Sequence, residues 1–124
     1  RCHWATPVIY DGCVYGTTGR NSGDALFVCA DWTTGELCWK EPGLGRSSCV
    51  LVDGYLVVLS EFGELLVIKA SRDTCEIISR ANLKDSTSSE ALLQPPCWAA
   101  PVVAYGYLYV RGAGRLVCID LLGR

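Results

Sequence analysis

Few side chains here are candidates for chemistry, and their spacing decides between a reaction and a scaffold. The only histidine, His3, would have to serve any Ser-His-Asp or Cys-His arrangement, with Ser47, Ser48 or Cys49 as nucleophile. No Gly-x-Ser-x-Gly elbow is present to expose a serine, and His3 stands just before the start of a strand pattern. A stacking or solvent-facing ring is its simpler role. Two glycine-rich stretches, Gly16 to Gly23 and Gly43-Leu44-Gly45-Arg46, lack the Gly-Lys-Ser/Thr ending of a phosphate cradle and precede no helical pattern. They read as hairpin loops. The carboxylates Asp11, Asp31, Asp53 and Asp120 recur at turn positions, which favours repeated structural caps over one acid–base pair. No Asp-x-Asp-x-Asp-Gly calcium loop occurs.

Eight cysteines in 124 residues pose a choice between disulfides, a metal cluster and buried thiols. Cys29, Cys38, Cys49 and Cys118 lie inside or beside apolar runs, where a free cysteine packs as a small hydrophobe. No Cys-x-x-Cys pair provides the usual spacing of structural zinc. Buried free thiols lead, with disulfides and a metal cluster left open. On this reading no catalytic, cofactor-binding or metal-ligating residue is assigned.

The elements that carry these residues are short strands. Half the residues are apolar, 19% are charged and the net charge is −2, the composition of a folded chain with a core. The 11 basic residues are scattered, so no nucleic-acid footprint is visible. No apolar stretch reaches the roughly 18 residues of a membrane-spanning helix. The N-terminal Arg1-Cys2-His3-Trp4 reads as an internal boundary.

One unit recurs three times. Trp4-Ala5-Thr6-Pro7-Val8-Ile9-Tyr10-Asp11-Gly12 matches the segment from Trp98 to Gly106, and Ser48 to Gly54 matches the second half of both. The anchoring glycines Gly12, Gly54 and Gly106 recur at intervals of 42 and 52 residues, a period that fits a four-stranded propeller blade with an insertion in the second interval. Asp11-Gly12 and Asp53-Gly54 are hairpin signals, because a type I′ turn needs positive φ at both central residues. The third copy places Tyr105-Gly106 there. The expected blades cover about 4–44, 45–81 and 97–124, as four, four and three strands, with 82–96 an inserted loop or a single helical turn. The fold class predicted is all-β: a propeller segment of two full four-stranded antiparallel blades and one partial blade. Trp4 and Trp98, at equivalent positions, are expected to pack between blades.

After the third strand of copy one comes Cys29-Ala30-Asp31-Trp32-Thr33-Thr34-Gly35-Glu36-Leu37-Cys38-Trp39. Asp31 is placed to bind the following amides, and Gly35 to take the positive φ that ends such a turn. The pattern, with Asp31, Thr34, Gly35 and Trp39 as its fixed points, resembles the tryptophan-docking motif of the PQQ-like (pyrroloquinoline-quinone-like) β-propeller repeat. Cys29 stands where that family usually has Ala. In copy two, Ser71 to Glu76 keeps only the outline of the motif.

The resemblance spans Trp4 to Asp120 and implies a ring closed by remaining blades or by self-association, since three copies do not close one. It implies a non-catalytic scaffold for protein–protein or ligand interaction, similar to the propellers of outer-membrane assembly lipoproteins, in an extracytoplasmic, periplasmic setting. It also raises the alternative of a fragment of a PQQ-dependent quinoprotein oxidoreductase. There PQQ and calcium would be held by residues outside this chain, since no adjacent-cysteine pair or catalytic Asp motif matches within it. Fold alone does not choose between the two.

Overall fold

The computed structural model describes residues 5–124 and contains eleven strands in three antiparallel sheets. The first holds β1 (Val8–Tyr10), β2 (Cys13–Thr18), β3 (Leu26–Asp31) and β4 (Leu37–Glu41) in sequential order. The second holds β5 (Ser48–Val52), β6 (Tyr55–Leu59), β7 (Glu64–Lys69) and β8 (Glu76–Asn82). The third holds β9 (Val102–Ala104), β10 (Tyr107–Gly112) and β11 (Arg115–Asp120). β1, β5 and β9 lie against one another in succession, the inner-strand arrangement of propeller blades around an axis.

Each blade begins with the same hairpin. The central residues have φ of 47° and 77° at Asp11-Gly12, 52° and 80° at Asp53-Gly54, and 52° and 79° at Tyr105-Gly106. This is type I′ geometry, whose twist matches the flanking strands. The carbonyl of each turn glycine then accepts an amide from the residue just past the third strand: Trp32 to Gly12, Ala70 to Gly54 and Leu121 to Gly106, at 2.9, 3.1 and 2.9 Å. These bonds align the blades residue by residue, so that Asp31, Lys69 and Asp120 are equivalent.

The core lies in two seams between blades. One packs Tyr15, Phe27 and Cys29 of blade one against Leu56 and Ile68 of blade two. The other packs Leu59 and Leu65 of blade two with Leu108 and Val110 of blade three and with Leu93 and Cys97 of the connection. Blade two is therefore covered on both faces, which explains why β6 reads Tyr-Leu-Val-Val-Leu without polar alternation. Cys118, expected to be buried, is exposed. It sits on β11, the outermost strand of a blade with no fourth strand beside it among the described residues.

The 82–96 connection forms no helix. It makes a small turn closed by the Lys84–Ala91 bridge and then delivers Leu93 to the second seam.

Candidate functional site

Asp31 organises the turn between β3 and β4 as its residue types dictate. Its Oδ1 accepts from the Thr33 hydroxyl at 2.7 Å and from the amides of Thr33 and Thr34 at 2.9 and 3.0 Å. The Thr33 hydroxyl, the two amides and the Arg72 guanidinium hold its carboxyl well below the usual carboxylate range. Thr34 Oγ1 accepts from the Glu36 amide at 3.2 Å, and Gly35, at φ 75°, donates its amide to the Asp31 carbonyl at 2.9 Å. A β-bulge beside Cys29 and Ala30 then turns Trp39 toward the neighbouring blade. The Trp39 ring lies 6.0 Å from both Tyr15 and Phe27, and its Nε1 donates to the Ser71 carbonyl of blade two at 2.7 Å. Arg72, the next residue, reaches back to Asp31 Oδ2 at 2.9 Å. The turn of one blade is thus tied to the turn of the next.

The second seam lacks this arrangement. By register Ser79 occupies the place of Trp39, Val57 that of Tyr15 and Leu65 that of Phe27. A cavity of about 340 Å³ opens there, lined among others by Val57, Leu65, Ser79, Leu108, Ile119 and Leu121. Lys69 replaces Asp31, so no carboxylate stands at that position to bind the turn amides of blade two.

The missing turn reappears in the insertion, a feature not singled out from sequence. Asp85 Oδ1 accepts from the Thr87 and Ser88 amides, both at 2.8 Å, and the Ser89 amide donates to the Asp85 carbonyl at 3.0 Å. The Asp85 amide donates to the Glu90 carbonyl at 2.8 Å, as that of Asp31 does to Glu36 at the same distance. Comparing Asp-Trp-Thr-Thr-Gly-Glu (31–36) with Asp-Ser-Thr-Ser-Ser-Glu (85–90) supplies the signal. Leu93, at the same spacing from Asp85 that separates Trp39 from Asp31, is buried in the second seam.

Blades two and three also share a buried carboxylate. Glu61, only 4% exposed, accepts from the Arg46 guanidinium at 2.6 Å, the Arg46 amide at 2.9 Å and the Trp98 indole at 2.9 Å. Burial alone would raise its pKa, but the Arg46 side chain and amide, followed by Trp98, hold it down at about 2. Gly45, at φ 61°, permits the approach: a Cβ there would stand 2.6 Å from Glu61 Oε2. Trp98 lies under the Arg46 guanidinium, 4.8 Å from ring centre to Cζ. Its equivalent in copy one, Trp4, lies outside the described residues, as does His3.

Three thiols converge in the first seam: Cys13, Cys29 and Cys38 have Sγ atoms within 4.8 Å of one another. Burial, followed by the hydrogen bond with Cys13, pushes the Cys29 thiol up to about 12. Asp11, Gly12, Asp53, Gly54 and Gly106 lie at the hairpin tips, where the glycine carbonyls accept the amides of Trp32, Ala70 and Leu121.

No protein-family profile matches this chain, and no curated protein matches it. Among solved structures, 34 chains match. BamB from Moraxella catarrhalis aligns at a TM-score of 0.54 and 22% identity, over 92% of this chain and 41% of that one. The chain therefore spans less than half the length of this structural neighbour, and the likeness is one of β-propeller fold.

Proposed function

We propose that this chain is a non-catalytic β-propeller scaffold, part of a larger propeller, whose rim loops and blade faces bind protein partners. The blades in this reading are 4–44, 45–81 and 97–124. The observation that carries it is the series packing: the middle blade is covered on both faces, whereas Val102 and Leu116 of blade three and Ile9 of blade one remain exposed. Such apolar surface at the ends of a series is what further blades or another copy would cover. The constellations described above join turns and blades to one another, which supports a frame over a reaction centre. The resemblance to outer-membrane assembly lipoproteins supports an extracytoplasmic, periplasmic location in this reading.

Light scattering of this chain tests the proposal. A discrete oligomer supports closure by self-association, and a monomer that binds an apolar dye or aggregates supports completion by further blades. A soluble monomer with no dye binding refutes the need for closure. The quinoprotein alternative is tested by titrating PQQ into the complete protein. A cofactor absorbance change there would replace the scaffold reading.

A further inference from the structure

The high cysteine content has a local consequence in blade one. Cys13 opens β2, Cys29 lies on β3, and Cys38 is the extra residue of the β4 bulge, between Leu37 opposite Ala30 and Trp39 opposite Cys29. A bulge re-aims a side chain that regular pleating would direct elsewhere. Here it accompanies the convergence of the Cys38 thiol with the other two, all within 4.8 Å. The arrangement is peculiar to this blade. The register equivalents in blade two are Tyr55, Val67 and Ile78, and in blade three Cys118 stands without a cysteine at Tyr107.

We propose that Cys13, Cys29 and Cys38 form a trigonal site for a soft monovalent metal ion, with Cu(I) as the ion that fits. Metal–sulfur bonds of about 2.3 Å in a plane place their sulfurs about 4.0 Å apart, inside the observed span. Thiolates select soft ions, and among the described residues this three-sulfur set has no fourth protein ligand of the kind that tetrahedral structural zinc takes. Cys13 and Cys29 are fully buried while Cys38 is half-buried, so the site has a dry floor and one ligand toward solvent. Charge is partly matched. Each ligating thiol releases its proton to solvent, leaving a Cu(I)–tris-thiolate unit with two negative charges. The Arg72 guanidinium, 3.5 Å from Cys13 Sγ and also paired with Asp31 at 2.9 Å, faces that charge and screens part of it. No electron is transferred in binding.

Because Arg72 belongs to blade two and the thiols to blade one, the ion would brace the seam that Trp39 also spans. The reduced chain should be titrated anaerobically against Cu(I) held by a chromophoric chelator. One equivalent should be withdrawn per chain, with a near-ultraviolet thiolate-to-copper band and X-ray absorption showing three sulfur neighbours. C38S, altered at the half-buried ligand, should weaken uptake at least tenfold, while C118S, at an exposed cysteine outside the cluster, should not change it. Circular dichroism establishes that each variant is folded; should C38S not fold, the sulfur count of the unaltered chain decides. No uptake by the folded reduced chain, fewer than three sulfur neighbours, or unchanged uptake by folded C38S would overturn the proposal.

Discussion

Replacing Ser79 by Trp should stabilise the chain, an outcome opposite to that of most substitutions. Position 79 is the register equivalent of Trp39, and its side of blade two borders a cavity of about 340 Å³ with an almost wholly apolar lining. An indole half-buried there, as Trp39 is in the first seam, removes about 100 Å² of apolar surface from water, or about 2.5 kcal/mol at ~25 cal/mol/Å². Fixing its rotamer costs about 1 kcal/mol, leaving a net gain of about 1.5 kcal/mol. For a chain of this size that raises Tm by about 5 °C. Calorimetry measures the shift, and the difference in tryptophan emission between variant and parent reports whether the new ring is shielded. A lowered Tm, or an unchanged Tm with emission typical of solvated indole, would refute the equivalence of the two seams.

Other substitutions probe the same frame. Trp39→Phe keeps most of the ring packing and removes the 2.7 Å bond to the Ser71 carbonyl, so urea unfolding should show a loss of about 1 kcal/mol or somewhat more. Ser89 adopts φ 59° where the matching turn has Gly35 at 75°. Ser89→Gly should therefore gain about 1 kcal/mol and Gly35→Ala lose about 1–2, each read from the denaturation midpoint. Glu61 has a folded pKa of about 2 against an ordinary value of 4.5, so it contributes stability at higher pH that is lost as pH falls from about 4.5 toward 2. Glu61→Gln should flatten that part of the stability–pH curve, and a slope unchanged in the variant would show that other carboxylates produce it.

Much of the frame was legible because backbone geometry left signatures in residue types. Asp-Gly announces a type I′ turn, and Asp31, Thr34 and Gly35 announce an Asx-type turn ending at positive φ. Only repetition marks Tyr105-Gly106, since tyrosine is an unusual occupant of φ 52°. What escaped depended on distance in sequence. Glu61 meets Arg46 across 15 residues of blade two and Trp98 only once blades two and three pack, and the three thiols meet only through a bulge whose register is set by pairing. The second Asx-type turn escaped for another reason: Ser89 replaces the glycine that would have marked it. Cys118 misled because an apolar strand is buried only if something covers its face.

Placing one sheet between two others also grades the chain's resistance to opening. Amide exchange in β6 and β7 should be the slowest, because both seams cover their sheet, whereas among the described residues β11 and β1 lie in sheets that pack against one neighbour. In these three sheets taken by themselves, opening would propagate inward from the outer two, as in a one-dimensional array with nearest-neighbour coupling. Any molecule that seats on an end blade slows that fraying, so attachment at one rim protects the centre of the chain as well as the surface it covers.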